Sequence, residues 1–177
     1  DLLGEHGPTA WDAAERAQAD GLVRSIGVSV YGHEEALAAA DRFPVRTVQI
    51  PVSIFDQRPV RSGALAELAG RGVEIHARSV FLQGFALADP DTLPDNLVRF
   101  RNHLSRFRQF ADHHGATPIA IALRYVAGIE PVSRMLVGVQ SAGELEQILS
   151  CLTADGALEG AQAVAADDPD LLNPGRW

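Results

Sequence analysis

Short apolar runs alternate with amphipathic segments along the chain, and this alternation predicts its elements. Four apolar runs have the length of strands, and the first would suit a strand buried on both faces. They are Leu22–Val30, Val45–Ile50, Val73–Ser79 and Met135–Val139. Apolar residues at helical spacing mark the segments around them. The predicted helices are Trp11–Ala19, Glu34–Asp41, Ser62–Arg71, Asn96–His114, Pro118–Val126 and Ser141–Leu152.

An insertion follows the third strand. Phe85–Pro94 is predicted as a loop because it contains two prolines. The helix Asn96–His114 after it has one apolar side, which we expect to pack against the rest of the molecule. That side consists of Leu97, Phe100, Leu104, Phe107 and Phe110.

Strands that alternate with helices pair in parallel through right-handed crossovers, so the pattern predicts an α/β fold. Two architectures satisfy it, an open doubly wound sheet and part of a (β/α)8 TIM-type barrel. A complete barrel has about 250 residues. The 177 residues and four strand–helix units would therefore supply about half a barrel, as one incomplete domain over residues 1–177.

Composition narrows the classes of partner. The net charge of −8 argues against nucleic acid, because binding to phosphate backbones needs a basic surface. No segment has the length and apolar content of a membrane span, and none resembles a signal peptide. The single cysteine, Cys151, has no internal partner for a disulfide. We therefore expect a cytoplasmic protein.

Common site motifs are absent from the sequence. It contains no glycine-rich GxGxxG or GxxxxGK[ST] loop and no GxSxG elbow. His113 and His114 are adjacent, so they point in different directions on a helix and make a poor metal pair. We predict no metal site. All 15 basic residues are arginines, so no lysine is available for catalysis.

Four ordered blocks of sequence resemble the aldo-keto reductase family. The segment GLVRSIGVSVY at Gly21–Tyr31 is similar to the family's G-x-[IV]-R-x-[IL]-G-[VL]-S-N-[FY] signature. Val48 and Gln49, followed by IFDQR, resemble the block after its sixth strand. GVEIHARSVFLQG at Gly72–Gly84 resembles its seventh strand, and LVGVQSAGEL at Leu136–Leu145 its eighth strand and phosphate-binding turn.

The resemblance implies the C-terminal half of a barrel, from strand five to strand eight. The family's catalytic Asp, Tyr, Lys and His belong to its first four strands. Asp1–Leu3 resembles the stretch a few residues beyond the catalytic His, so the tetrad would lie upstream of this chain. We therefore predict no catalytic residue within it. Tyr31 matches an aromatic residue that closes the fifth strand, and we expect it to pack.

The resemblance also implies a set of residues that bind NADP or NAD. Ser29 and Gln49 match the residues that hold the nicotinamide carboxamide, although polar residues at strand ends can also simply cap turns. The other matches lie nearer the nicotinamide ring, the pyrophosphate and the adenosine. They are Arg78, Ser79, Phe81, Gly138, Val139, Gln140, Ser141 and Gln147.

Several positions depart from the family's pattern. Val30 replaces an Asn that contacts the carboxamide, and Arg78 replaces an aromatic that stacks on the nicotinamide. A guanidinium can stack on a flat ring or pair with a substrate acid. Ser141 replaces an Arg near the 2′-phosphate, and it also forms an S-x-x-E capping box with Glu144. Ile148 replaces an Asn that contacts the adenine.

The implied function is reduction of a small-molecule carbonyl by hydride transfer, although this chain alone lacks the proton-transfer residues. The alternative is a non-catalytic half-barrel that binds a nucleotide or a protein partner. A half-barrel has two open edges, and we expect inward side chains such as Val28, Val48 and Ile75 to face water. We therefore expect pairing with a missing N-terminal half, or self-association.

Overall fold

A four-stranded parallel sheet forms the centre of the computed structural model, which describes residues 2–152 and 158–177. The strands pair in the order in which they occur along the chain. A doubly wound sheet reverses its strand order at a switch point, whereas a barrel does not. The order observed here is therefore that of part of a barrel. The strands are β1 (Gly27–Ser29), β2 (Thr47–Pro51), β3 (Glu74–Arg78) and β4 (Val132–Met135).

Helices precede the sheet and follow each of its strands. Pro8 in the first turn of α1 and Pro118 in the first turn of α6 are placed where the missing N–H costs nothing. The helices are α1 (Gly7–Ala19), α2 (His33–Arg42), α3 (Arg58–Arg61), α4 (Ala64–Gly70), α5 (Arg101–His113), α6 (Pro118–Ala127), α7 (Ala142–Cys151) and α8 (Pro169–Leu172). No helix in the described parts of the chain is both long and apolar enough to cross a membrane.

The edge strands differ from their predicted bounds. The predicted strand Leu22–Val30 is a strand only over β1, because its first residues form a loop in which Leu22 is 77% exposed. The predicted strand Met135–Val139 begins earlier, at Val132, and the chain leaves the sheet after Met135. Apolar content alone did not distinguish these loops from the strands they adjoin.

Two other predictions need adjustment. The predicted helix Ser62–Arg71 corresponds to α4, which begins later, at Ala64, after Gly63 at φ 77°. The short helix α3, which lies just before the predicted range, was not predicted. The predicted loop Phe85–Pro94 contains two 3-10 turns. Asp1, the start of the stretch taken to follow a fourth strand, lies outside the described residues.

The apolar face of the sheet packs against helices, and the expectation that Val48 and Ile75 face water is wrong. Both side chains are fully buried in a core with Leu68 of α4 and Leu123 of α6, and Val28 is half-buried against it. Side chains alternate between the two faces of a strand, so the apolar residues cannot also point the other way.

The opposite face of the sheet is polar and open. Four residues in register form a row across it: Ser29, Gln49, His76 and Arg134. Glu74 is close to two of them, with its Oε1 3.1 Å from Nε2 of His76 and 3.1 Å from Nε of Arg134. These contacts lower the pKa of the Glu74 carboxyl, and the bond to His76 is the largest cause.

The insertion and the C-terminal tail share a second core. Phe55, which follows β2, makes edge-to-face contacts with Phe85 at 5.5 Å and with Phe107 of α5 at 5.2 Å. Such pairs add about 0.5–1.5 kcal/mol to the burial of their surface. The predicted apolar side is confirmed as a buried surface, since Leu97, Phe100, Leu104 and Phe107 are buried and Phe110 is half-buried. The predicted helix Asn96–His114 begins only at Arg101, because the residues before it form a 3-10 turn.

The tail is held by a buried amide. Gln57, 4% exposed, donates from its Nε2 to the carbonyl oxygens of Ile54 and Ala161, both at 2.8 Å. The amide of Ala166 donates to the carbonyl of Phe55 at 2.9 Å. Buried polar groups need such partners, so these bonds fix the tail against the loop after β2. The tail thereby reaches the carboxyl ends of the strands.

Candidate functional site

The carboxyl ends of the strands collect most of the predicted site residues at one edge of the sheet. Ser29 at the end of β1 pairs in register with Gln49 of β2. Val28 and Val48 point to the helices, so Ser29 and Gln49 lie on the open face beside one another. The structure therefore brings together the two residues predicted to hold a carboxamide.

The loop after β3 has an unusual backbone. Ser79, Leu82 and Gln83 have positive φ values of 60°, 47° and 54°, and Gly84 follows at 86°. A non-glycine residue in this region costs on the order of 1–3 kcal/mol, and such strain is concentrated at functional sites. A bond from the amide of Leu82 to the carbonyl of Ser79, at 2.8 Å, closes the turn.

Arg78 bridges the ends of three strands. From the end of β3, its Nη2 donates to the carbonyl oxygen of Val30 at 2.9 Å, so the side chain crosses the end of β2. Its Nη1 donates to Oγ of Ser79 at 3.2 Å, and its guanidinium carbon lies 5.1 Å from the centre of the Tyr31 ring. Arg78 is therefore held in place by partners on both sides of β2.

A cavity of about 760 Å³ opens between the loop after β3 and the segment after β4, and we call it the turn cavity. Six of the ten predicted cofactor-binding residues line it. They are Arg78, Ser79, Phe81, Gly138, Val139 and Gln140. Ligand sites have volumes of about 300–1,000 Å³, so the turn cavity is large enough to hold part of a dinucleotide.

The first turn of α7 adds both attraction and repulsion for an anion. Ser141 is the N-cap, and its Oγ accepts from the amide of Glu144 at 3.2 Å. The Glu144 carboxylate accepts the amide of Gln140, the residue before the N-cap, at 2.7 Å, so the serine half of the predicted capping box forms and the glutamate half bonds one residue earlier. The amides of Ala142 and Gly143 have no acceptor within the helix and suit a phosphate. Glu144 also lines the turn cavity, where its charge opposes one.

The remaining predicted residues lie outside the turn cavity. Ser29 and Gln49 lie on the open face of the sheet, and Ser141 and Gln147 are exposed on α7. Ile148, at the position of the adenine contact, is 5% exposed and packs in the core. The residues present thus fit the amide and pyrophosphate parts of a dinucleotide, and they offer little to its adenosine.

A second cavity, of about 580 Å³, lies on the other side of Arg78, and we call it the tail-covered cavity. Its walls come from the ends of β1 and β2, the loop after β3 and the tail. Sequence comparison missed it, because one of its walls is the tail, whose residues match no family block. Among the residues that line it are Tyr31, Arg58, Arg78, Gln83 and Arg176. Tyr31 is 74% exposed at its mouth, so the expectation that it packs is wrong.

Tyr125 is poorly suited to donate a proton at neutral pH. Burial and the nearby Asp56 carboxylate raise the pKa of Tyr125, on α6, to about 12. A phenol that donates well has its pKa lowered, not raised. Within the described residues, no group of three or more His, Cys, Asp or Glu is placed to hold a metal ion.

Comparisons with known proteins agree with this geometry. A sequence profile described as the Aldo/keto reductase family matches residues 7–156. Curated protein sequences give no match. Among solved structures, the holo form of the aldo-keto reductase AKR11C1 from Bacillus halodurans has a TM-score of 0.70 at 18% identity, covering 88% of this chain and 55% of that one.

Two further solved structures share the fold. The glycerol dehydrogenase AKR11B4 from Gluconobacter oxydans has a TM-score of 0.63 at 20% identity, covering 84% of this chain and 50% of its own. The thermostable aldo-keto reductase Tm1743 has a TM-score of 0.61 at 21% identity, with coverages of 92% and 53%. The chain therefore spans about half the length of these structures.

Proposed function

Because the chain belongs to the aldo/keto reductase family, we propose that it forms the cofactor side of an NAD(P)-dependent carbonyl reductase. The turn cavity carries this proposal, since it gathers six predicted cofactor residues from β3 and from the segment after β4. Those segments are far apart in the sequence, and chance similarity would not bring them to one cavity. The single cysteine suits a reducing compartment, so we propose a cytoplasmic protein.

The chain's own residues would bind and orient the cofactor. A bound nicotinamide supplies a hydride to the carbonyl carbon, while a proton from the protein reaches the carbonyl oxygen. Ser29 and Gln49 would fix which ring face is presented, through bonds to the carboxamide. Ser79 and the amides after β4 would hold the pyrophosphate. Val30, whose side chain is buried in the core, cannot make the carboxamide contact that Asn makes in relatives.

The proton donor would come from residues that precede Asp1. The sequence has no lysine, and burial raises the pKa of Tyr125 to about 12. We also propose that NADP gains little over NAD. Ser141 is occupied as the cap of α7 and brings no positive charge to a 2′-phosphate. The alternative function, a half-barrel that binds a nucleotide without catalysis, uses the same turn cavity and lacks only the donor.

Exposed apolar side chains at both edges of the sheet support pairing with a further half-barrel. Leu22 is 77% exposed before β1. On α7, Leu145, Leu149 and Leu152 are 43%, 55% and 44% exposed, at spacings of four and three residues that place them on one side. An apolar stripe beside an open strand edge marks a surface that another element covers. Self-association through the same edges is the other possibility.

We predict that residues 1–177 alone do not reduce a carbonyl. The experiment compares this chain with the protein as its gene encodes it, following NADPH oxidation with 4-nitrobenzaldehyde. The encoded protein should turn over, and residues 1–177 should match the uncatalysed rate because they lack the proton donor. Turnover by residues 1–177 would show that the donor lies within them. An inactive encoded protein that binds NADPH would favour the non-catalytic alternative.

The exposed leucines of α7 provide a test of pairing with a further half-barrel. Leu149→Glu should weaken association of residues 1–177 with a covering half or with a second copy, because it places a charge in an apolar contact. Light scattering at several concentrations measures the effect. The control is Val98→Glu, since Val98 is 41% exposed in the insertion, away from both edges. A wild-type chain that is monomeric and unfolds cooperatively without a partner would contradict the proposal.

The charge of Glu144 tests the placement of the pyrophosphate. Glu144→Gln keeps an acceptor for the Gln140 amide and removes a negative charge from the turn cavity. Dinucleotide binding should tighten by about 0.3–1 kcal/mol, the size of a charge effect at a helix terminus, or about two- to fivefold. Glu35→Gln is the matched control, because Glu35 accepts the amide of Tyr31 at 2.8 Å in the same way at the start of α2. Calorimetry that finds equal effects for both variants would place the pyrophosphate elsewhere.

A further inference from the structure

We propose that the tail-covered cavity binds a carboxylate group of the carbonyl substrate, and that Arg78 is the residue that recognises it. This inference rests on the proposed function, because it names the substrate class of that reductase. The substrate would be an aldehyde or ketone that carries an acid group, rather than a neutral carbonyl compound.

The positive charge of Arg78 is not paired with a carboxylate of the described residues. Three arginines line the cavity, and two of them are already paired. Arg58 makes a two-point bond to the buried carboxylate of Asp56, with both contacts at 2.8 Å. Arg176 pairs with Asp170 at 3.0 Å. Arg78 forms no ion pair with any carboxylate of the described residues, so its charge is the one available to a ligand.

The hydrogen bonds of Arg78 leave some of its donors unused. Its protein acceptors are the carbonyl oxygen of Val30 and the hydroxyl of Ser79. The guanidinium has five N–H donors, and these bonds use one on Nη1 and one on Nη2. Its Nε has no hydrogen-bond partner but is enclosed by protein, so the donors open to a ligand are the second N–H groups of Nη1 and Nη2. The two bonds and the Tyr31 ring hold the group still. A fixed, planar guanidinium with spare donors suits a carboxylate, which it can bind at two points.

The tail-covered cavity has the size and the fixed walls of a small-molecule site. Its volume of about 580 Å³ suits a small molecule. The tail forms one wall, and Asp170 holds that wall in place through Arg99 and Arg176. The opposite wall contains Ser79, Leu82 and Gln83, the non-glycine residues with positive φ in the described parts of the chain. The strained part of the loop after β3 is thus the part that faces this cavity.

The position of the cavity favours the substrate over the cofactor as the source of the anion. The turn cavity, with the predicted pyrophosphate residues, lies toward β4. The tail-covered cavity lies toward β1 and β2, where Tyr31 follows Ser29 by two positions and Pro51 follows Gln49 by two. Ser29 and Gln49 mark the nicotinamide end, so an anion on this side lies beside the reacting carbonyl.

The first experiment measures binding with the protein as its gene encodes it and without dinucleotide. Calorimetry uses benzoate, uncharged benzamide and inorganic pyrophosphate as probes. We expect benzoate to bind and benzamide to bind more weakly. Arg78→Gln should weaken benzoate about tenfold or more, as the loss of a charge-assisted, two-point bond does. Arg46→Gln, which removes an equal charge at the opposite end of β2, should change nothing.

The second experiment measures specificity with 4-carboxybenzaldehyde and its uncharged methyl ester. The wild type should have the higher kcat/KM for the acid. In Arg78→Gln the ratio of kcat/KM for the acid to kcat/KM for the ester should fall toward one, whatever the variant's absolute rate. Arg78→Lys, which keeps the charge and loses the two-point bond, should recover part of the preference. If Arg78→Gln does not fold, the wild-type preference and Arg78→Lys decide the matter.

The outcomes separate this inference from the proposed function. Reduction of both aldehydes with equal kcat/KM would overturn the inference and leave the reductase standing. Arg78-dependent benzoate binding by a protein that neither binds nor oxidises NADPH would overturn the reductase and leave the anion site. If Arg78→Gln weakens pyrophosphate and leaves benzoate unchanged, the anion belongs to the cofactor and the inference is wrong.

Discussion

Parallel pairing of four strands in chain order places every carboxyl end at one edge of the sheet, and the site depends on this arrangement. Residues from β1, β2, β3 and the segment after β4 meet there although about a hundred residues separate the first from the last. The helices cover only the apolar face. The polar face therefore stays open, and the loops at the carboxyl edge form cavities above it.

Arg78 is the point at which the two cavities meet. It lines both of them, and its bond to the carbonyl of Val30 spans the end of β2. The strained loop that follows it also contributes to both cavities through Ser79 and Gln83. Replacing an aromatic residue by arginine at this position exchanges a stacking surface for a fixed charge. A ligand that approaches from the side of β1 and β2 therefore meets a positive charge instead of an aromatic ring.

The sequence predicted the fold well wherever apolar periodicity was strong. β3 and β2, central in the sheet, lie within one and two residues of their predicted bounds, whereas β1 and β4 at its edges differ by more. An edge strand has a neighbouring strand on one side only, so the apolar residues that flank it in the sequence need not form hydrogen bonds with the sheet. Leu22 and Val139 show this, since both were predicted in strands and both are exposed loop residues.

The site was predicted in part, for physical reasons that differ by residue. The turn cavity followed from family blocks whose positions are fixed by the strands. The tail-covered cavity did not, because its wall depends on where the tail folds, and Gln57 fixes that through a bond to Ala161, 104 positions away in the chain. Ser141 and Ile148 were matched by alignment, yet one caps a helix and the other is in the core.

Hydrogen–deuterium exchange with and without NADPH tests the central claim most directly. If the turn cavity holds the pyrophosphate, the amides of residues 79–84 and 138–143 should exchange more slowly with NADPH present, because they become bonded or shielded. The amides of α5, which lines neither cavity, should be unaffected. Binding of NADPH without slower exchange in either segment, or with slower exchange only in α5, would contradict the account.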